Sequence, residues 1–479
     1  MNKNGLLSNL FWKFSERILA QFVTFFVSII LARMLEPDHY GTISIVTIFI
    51  SIANVFVSNG FGSSLIQKKN VDKLDYSSVL FFNIGFSIAL YLILFICAPL
   101  ISSFYGDGYE ILTPVLRVLG LRLIPAGINS VQQAYVSKNM VFKKFFWATF
   151  LGTVLSGVVG IAMAYAGFGV WALVAQYMTN TTVNTIILAI SIGNIYCFNF
   201  SLNRLKGMLG FGSRILASNL IIVAYQELRA IIIGKLYSAQ DLAFYDKGKS
   251  FPNLIVANIN TSIDAVLFPK LSNEQNDIRK IKGTTRNSIR FSSYIMCPLM
   301  IGLAAIATPF VELLMTEKWL PCVPLLQLFC IVYLFQPIHT ENIQAIKAVG
   351  RSDIVLKLEI IKKNVELIVI LITMWLGVSA MVIGMAVCTT LFTLVNVYPN
   401  SKLIGYTFKE QLADILPSLG MSGLMFIAVF FMQYLSVNNL LLLILEIITG
   451  ATIYILLSVI TRNKEFLYLI QLLKLKKAS

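Results

Sequence analysis

The sequence has little charge for its length, and its few histidines and cysteines form no recognisable motif. Only 13% of its 479 residues are charged, against about a quarter in water-soluble domains, and 57% are hydrophobic. Its two histidines and six cysteines lack the CxxC or histidine–cysteine spacing of a metal site. These shortages exclude a soluble globular fold, and we expect no metal, no cofactor and no disulfide framework.

Fourteen apolar runs hold nearly all the hydrophobic residues, and most of them exceed the roughly 20 residues that a helix needs to span hydrocarbon. Run four (111–137) and run eight (241–269) are the least apolar. The first run directly follows Lys13 and Arg17 and has no small-residue cleavage site, so we expect a retained helix and not a signal peptide. The sequence therefore predicts an all-α polytopic membrane protein with about fourteen transmembrane helices.

Acidic residues are the scarcer charge, with 23 against 38 basic residues and a net charge of +15. The basic residues cluster in alternate loops, whereas the intervening loops are nearly bare apart from Arg33, Lys235 and Lys318. The positive-inside rule then predicts that both termini and all the basic loops are cytoplasmic, which requires an even number of spans. This distribution also argues against nucleic acid as the partner of the positive charge.

Two stretches about 200 residues apart are alike, which is typical of an internal repeat. Residues 31–41 align with residues 233–243, and Gln133 aligns with Gln344. We expect an N-terminal six-helix lobe (1–200), a C-terminal six-helix lobe (201–405), and two additional transmembrane helices with a basic cytoplasmic tail (406–479). Two parallel lobes around a central cavity are suited to alternating access.

Polar residues at helical spacing form stripes within several apolar runs. Arg17 and Gln21 share a face of run one, Asn54 lies in a stripe of run two, and Lys249 and Asn253 share a face of run eight. Hydroxyls and amides at this spacing also join membrane helices to one another, so for any single uncharged residue a packing role is an equal alternative.

Basic residues inside apolar runs are costly at a membrane helix centre, by about 2.5–3.5 kcal/mol on insertion scales. Residues near a span end have the alternative role of end anchors or ion-pair partners. As a set they predict a cationic, water-filled cavity, and together with the stripe residues they form the predicted substrate-binding set: Arg17, Arg117, Arg122, Arg214, Arg229, Lys247, Lys249, Gln21, Asn54 and Asn253.

Three acidic residues within the runs, Glu16, Glu227 and Glu341, are candidate proton or cation sites for energy coupling. Two others, Glu359 and Glu366, bracket Lys362 and Lys363 at helical spacing, which favours local ion pairing. A cavity richer in guanidinium than in carboxylate should prefer anions, because arginine grips phosphate oxygens in pairs. We therefore expect a phosphate-bearing molecule or an anionic amphiphile as the substrate.

Several motifs resemble a known family. The stretch from Leu10 to Lys69, with LARMLEPDHYG and NGFGSSLIQKK, together with QQAYVSKNMVFKKF (132–145) and AGFGVWALV (166–174), resembles the polysaccharide-transporter (Wzx-type flippase) branch of the multidrug/oligosaccharidyl-lipid/polysaccharide exporter superfamily. The resemblance implies translocation of undecaprenyl-pyrophosphate-linked oligosaccharide repeat units across the bacterial cytoplasmic membrane for O-antigen, capsule or exopolysaccharide synthesis. Membrane lipids, a polysaccharide polymerase and chain-length machinery are the partners it implies.

Two alternatives are open. A multidrug or other solute exporter of the same superfamily would favour cationic substrates and an acidic cavity, which the basic residues within the runs argue against. A membrane glycosyltransferase or polymerase would need substantial extracytoplasmic loops, and here those loops are mostly a few residues long. We therefore favour a flippase and do not expect an enzyme.

Overall fold

The computed structural model describes residues 3–58, 61–274, 277–435 and 437–477, and these form helices without strands. The chain divides into two compact units, of which the first ends at Ala243 and the second begins at Phe244. The described part of the first unit contains α1 (Lys3–Met34), α2 (Pro37–Ser58), α3 (Phe61–Gln67), α4 (Lys73–Tyr105), α5 (Leu112–Gly120), α6 (Leu123–Asn139), α7 (Phe142–Tyr165), α8 (Val170–Ile192), α9 (Leu202–Leu236) and the start of α10 (Ala239–Asn273).

The second unit contains the rest of α10 and the remaining helices. These are α11 (Ile278–Ala305), α12 (Ala307–Met315), a 3-10 helix (Glu317–Cys322), α13 (Val323–Leu334), α14 (Gln336–Ala348), α15 (Ser352–Thr373), α16 (Val378–Leu403), α17 (Phe408–Met432), α18 (Asn439–Ile460) and α19 (Lys464–Lys477). The predicted lobe boundaries near residues 200 and 405 fall in the connections that precede α9 and α17. The lobes themselves stay a prediction.

Ten helical stretches in the described residues are long and apolar enough to cross a membrane, and Leu19–Met34 is a shorter apolar segment. The prediction of an all-α, multi-span membrane protein is confirmed, whereas the count of fourteen spans stays a prediction. Helices α8 and α15 are not among the ten. Helix α8 carries amides and hydroxyls in mid-helix, and α15 carries several charged residues there.

Two of the predicted spans are broken helices. The fourth apolar run becomes α5 and α6 with an interruption at Leu121 and Arg122, and the corresponding run in the second unit is interrupted at Phe335, between α13 and α14. Pro125 and Pro337 lie in the first turn after each break. Proline has no N–H, and its ring clashes with the carbonyl four residues earlier, so it is favoured in the first turn of a helix and weakens the helix before it.

The helix order repeats between the two units, and so does the position of one core. Helices α4 and α11 begin 205 residues apart, at 73 and 278, and α9 and α17 begin 206 residues apart, at 202 and 408. In the first unit a hydrophobic core joins α3, α4, α6 and α9, through Leu65, Val79 and Val131 among others. In the second unit a core joins the end of α10 with α11, α14 and α17. Each core lies beside a cluster of buried charges.

Candidate functional site

The two arginines of the fourth apolar run contact different helices. The Arg122 guanidinium donates from Nε to Thr181 Oγ1 of α8 at 2.6 Å and lies 5.4 Å from the ring centroid of Tyr177. Arg117 instead stacks on Phe95 of α4, with 4.3 Å between its Cζ and the ring centroid, and donates to the Phe95 carbonyl. The structure therefore does not bring these two predicted substrate-binding residues to one partner.

The other predicted residues of the first unit lie on α1, α2 and α9. Arg229 is buried at 7% exposure, while Gln21 and Glu227 are partly buried and have polar interactions of their own. The side-chain oxygen of Asn54 is buried without a hydrogen-bond partner among the described residues. A buried unpaired acceptor is uncommon and is compatible with a polar ligand.

Three predicted site residues have side chains outside the part of the chain that the structure describes, namely Glu16, Arg17 and Arg214. In the second unit, Lys249 and Asn253 lie one turn apart on α10, half-buried and exposed respectively. Lys247 Nζ is 5.6 Å from the ring centroid of Trp319. Glu16 remains a prediction as a coupling-ion site, and the others remain predictions as substrate contacts.

Glu341 is the predicted coupling residue with the most distinctive environment. Its side chain is fully buried on α14 and accepts hydrogen bonds from Ser288 Oγ at 2.6 Å and Ser292 Oγ at 3.1 Å, both on α11. No basic side chain among the described residues forms an ion pair with it. An unpaired carboxyl within a membrane helix is costly and points to a functional role.

Glu341 lies in the wall of a cavity of about 830 Å³ within the second unit. The walls come from α10, α11, α14 and α19, and they combine apolar side chains such as Ile263 and Phe291 with hydroxyls and amides. Lys270, Arg290, Lys464 and Glu465 supply charges from three of the helices. Sequence reasoning missed this cavity because it treated residues after 461 as a tail. The apolar stretch within KEFLYLIQLLKLKK, with lysines at both ends, was the signal for α19.

A buried acid joins α11 to α17 beside this cavity. Asp414 accepts two hydrogen bonds from the Arg286 guanidinium, at 2.6 and 2.9 Å, one from Arg290 Nε at 2.7 Å, and one from the Tyr406 hydroxyl at 2.9 Å. One turn earlier, Glu410 accepts from Lys282 Nζ at 2.8 Å. Bidentate pairing of arginine with carboxylate is among the stronger polar contacts in proteins.

The first unit has a related cluster between α4 and α9. Asp75, fully buried, accepts from Lys68 Nζ at 2.6 Å and lies 3.4 Å from Arg204 Nη1. Asp72 precedes α4 and caps it by accepting from the Asp75 N–H at 2.9 Å. That N–H hydrogen bond lowers the pKa of Asp72, so the cap stays ionised. Lys68 and Arg204 are therefore held in ion pairs with Asp75, and neither belongs to the predicted substrate-binding set.

The ion pairs predicted on α15 are confirmed. Lys363 Nζ lies 3.1 Å from Glu366, and Lys362 pairs with Glu359. The six cysteines are free thiols, four of them buried.

Comparison with known proteins identifies the family. Residues 30–324 match the model of the family described as "Polysaccharide biosynthesis protein". The chain belongs to this family. It is 22% identical over 396 residues to the lipopolysaccharide biosynthesis protein WzxC of Escherichia coli (strain K12), covering 81% of this chain and 79% of WzxC. It is 25% identical over 304 residues to the teichuronic acid biosynthesis protein TuaB of Bacillus subtilis (strain 168), covering 63% of this chain and 62% of TuaB.

Solved structures share the fold of this polysaccharide biosynthesis protein. The inward closed conformation of the lipid II flippase MurJ matches with a TM-score of 0.75 at 15% identity, covering 95% of this chain and 99% of MurJ. An inward-facing multidrug resistance MATE family transporter matches with a TM-score of 0.63 at 16% identity, covering 80% of this chain and 94% of that one. The predicted placement in the Wzx-type branch is confirmed, and the chain is a membrane transporter of polysaccharide biosynthesis rather than an enzyme.

Proposed function

We propose that the chain translocates an undecaprenyl-pyrophosphate-linked oligosaccharide repeat unit across the bacterial cytoplasmic membrane by alternating access. Family membership and the names of its relatives support a role in surface polysaccharide synthesis. The observation that carries the choice of an anionic lipid-linked substrate is the set of basic side chains buried or half-buried in apolar helices, including Arg122, Arg229 and Lys249. Both termini are proposed to be cytoplasmic, following the alternation of basic loops.

The remaining predicted residues keep the roles given above as part of this proposal. Gln21, Asn54 and Asn253 would hydrogen-bond the pyrophosphate or the sugar, and Glu227 would bind the coupling ion. Glu16 and Glu341 are the other candidates for the coupling ion. A polysaccharide polymerase and chain-length machinery are proposed partners that would consume the translocated unit.

The test is replacement of the gene in its own host by variants. Arg122→Gln or Lys249→Gln should lower surface polysaccharide about tenfold, because each removes a charge-assisted contact to phosphate. Undecaprenyl-pyrophosphate-linked oligosaccharide should accumulate, as measured by mass spectrometry of extracted lipids. Arg351→Gln and Lys363→Gln are matched controls, because both residues are partly exposed and paired with neighbouring acids.

Deletion of the gene tests whether the chain acts at this step at all. If the deletion leaves surface polysaccharide unchanged, or lowers it without accumulation of the lipid-linked intermediate, the chain does not act at this step. Sensitisation to cationic drugs in the deletion strain, with normal polysaccharide, would identify an exporter of another solute instead.

A further inference from the structure

The cavity of the second unit has the dimensions of a ligand site. Its volume of about 830 Å³ lies within the range of roughly 300–1,000 Å³ typical of small-molecule pockets. It runs along α10 from Asn258 to Lys270, which is about 18 Å at the rise of an α-helix. It is contained within α10, α11, α14 and α19 and does not involve the first unit.

One part of the cavity is apolar and open to the protein surface. Ile263, Val266, Phe291 and Ile295 line it together with Tyr468 of α19, whose ring lies edge-on to that of Phe291 with 6.4 Å between the centroids. Val266 and Tyr468 are 68% and 54% exposed, so these walls continue onto the outer surface of the unit. An apolar surface on a membrane protein that continues into a cavity is suited to a lipid chain.

The polar part carries both signs of charge. Lys270 of α10 and Lys464 of α19 line it and form no ion pair with the described residues. Arg290 also lines the cavity while bound to Asp414. Glu465 and the buried Glu341 contribute carboxylates. A ligand that carries both an anionic group and a cationic group would be complementary to this lining.

Glu341 can accept a further hydrogen bond. Its two oxygens receive one serine hydroxyl each, whereas an ionised carboxylate has about four acceptor positions. A primary ammonium carries three N–H donors and a positive charge, and would supply the cationic partner that Glu341 lacks among the described residues. A quaternary ammonium has no N–H and could not bond to it in this way.

We propose that this cavity binds an aminophospholipid of the phosphatidylethanolamine type. Lys270 and Lys464 hold the phosphate, Glu341 accepts from the ethanolamine ammonium, and an acyl chain lies along Val266, Phe291 and Ile295. The bound lipid would also join α19 to α11. The site takes a lipid of the surrounding membrane and not the transported substrate, and it gives Glu341 a role different from the coupling role predicted from the sequence.

The experiment is native mass spectrometry of the full chain, purified in detergent, delipidated and titrated with three lipids. Phosphatidylethanolamine, phosphatidylcholine and phosphatidylglycerol of identical chains are compared, since only the first carries both a phosphate and a primary ammonium. We expect the unaltered chain to prefer phosphatidylethanolamine over each of the others by about tenfold, the usual effect of one charge-assisted hydrogen bond.

Three variants assign the preference to the cavity. Glu341→Gln should remove the preference over phosphatidylcholine, whereas Glu446→Gln, which alters another fully buried carboxyl of the unit outside this cavity, should preserve it. Lys270→Gln combined with Lys464→Gln should weaken binding of all three lipids about tenfold. The control pair Lys402→Gln and Lys409→Gln lies outside the cavity and should leave binding unchanged.

Ile263→Trp, which fills the apolar part, should exclude the lipid while Lys270 and Lys464 remain, and a circular dichroism spectrum checks that it is folded. Equal binding of the three lipids by the unaltered chain would overturn the proposal. So would an undiminished preference in Glu341→Gln, or tighter binding of undecaprenyl phosphate than of phosphatidylethanolamine at the same site.

Discussion

In the first unit the helix pair α4 and α9 is joined by a buried acid on α4, whereas in the second unit the corresponding pair, α11 and α17, is joined by a buried acid on α17. Asp75 binds Lys68 and Arg204, and Asp414 binds Arg286 and Arg290. The helices correspond in order and spacing, yet the acid and the base have exchanged sides. The comparison indicates that the cluster of charges is retained while its residues are not.

The capping boxes follow the same pattern, because each lies at the start of the helix that carries the buried acid. Asp72 and Asp75 form one at the start of α4, and Thr407 and Glu410 form one at the start of α17. In each case the acid that closes the box also binds a cation of the neighbouring segment, Lys68 or Lys282. A capping acid is thus a convenient anchor for an interhelical ion pair, because the box already fixes its orientation.

The largest expected effect is that of Asp414→Ala. The change leaves two arginines and the Tyr406 hydroxyl without their acceptor, and removal of one partner of a buried pair typically costs about 3–5 kcal/mol. Chemical unfolding in detergent micelles should show a loss of this size, with Asp414→Asn intermediate. A loss below that of Asp75→Ala would contradict the ranking.

Asp75→Ala should cost less, about 2–3 kcal/mol in the free energy of unfolding. From side chains, Asp75 accepts one short hydrogen bond, from Lys68 at 2.6 Å, and a longer one from Arg204 at 3.4 Å, whereas Asp414 accepts four of 2.9 Å or less. The same unfolding measurement compares the two units directly. Equal losses for Asp75→Ala and Asp414→Ala would mean that the number of hydrogen bonds does not set the difference.

The smallest effect is the coupling between Lys282 and Glu410. Both side chains are about a third exposed, so a double-mutant cycle with Lys282→Gln and Glu410→Gln should give only about 0.5–1 kcal/mol. Added salt should reduce it further. A coupling as large as the Asp414 effect would show that this pair holds α17 to α11 as strongly as Asp414 does.

The duplicated glutamines show why sequence similarity did not identify the partners. Gln133 and Gln344 align in the repeat, but Gln133 donates to Asn129 on its own helix, whereas Gln344 donates to Asp264 of α10 at 2.6 Å. An alignment transfers a position along a helix. It does not transfer which neighbouring helix offers an acceptor.

The ion pairs on α15 could be predicted from the sequence, because each joins residues three apart on one helix, Glu359 with Lys362 and Lys363 with Glu366. Pro125 and Pro337 indicate a bend in each run but not a complete break, since proline is also tolerated within membrane helices. The cavity around Glu341 could not be predicted, because Ser288 is 53 residues away in sequence and α19 more than 120.

The sequence by itself determined that this chain is an all-α membrane protein of the polysaccharide-transporter branch, because hydropathy and short motifs are properties of neighbouring residues. The tertiary structure decided which charges are paired. Arg122 donates a hydrogen bond to α8 and Arg290 donates one to Asp414. Among the described side chains, Glu341 accepts hydrogen bonds only from serine hydroxyls. The physical reason is that an ion pair depends on which helix faces meet, and residues 124–129 positions apart in the chain meet only after folding.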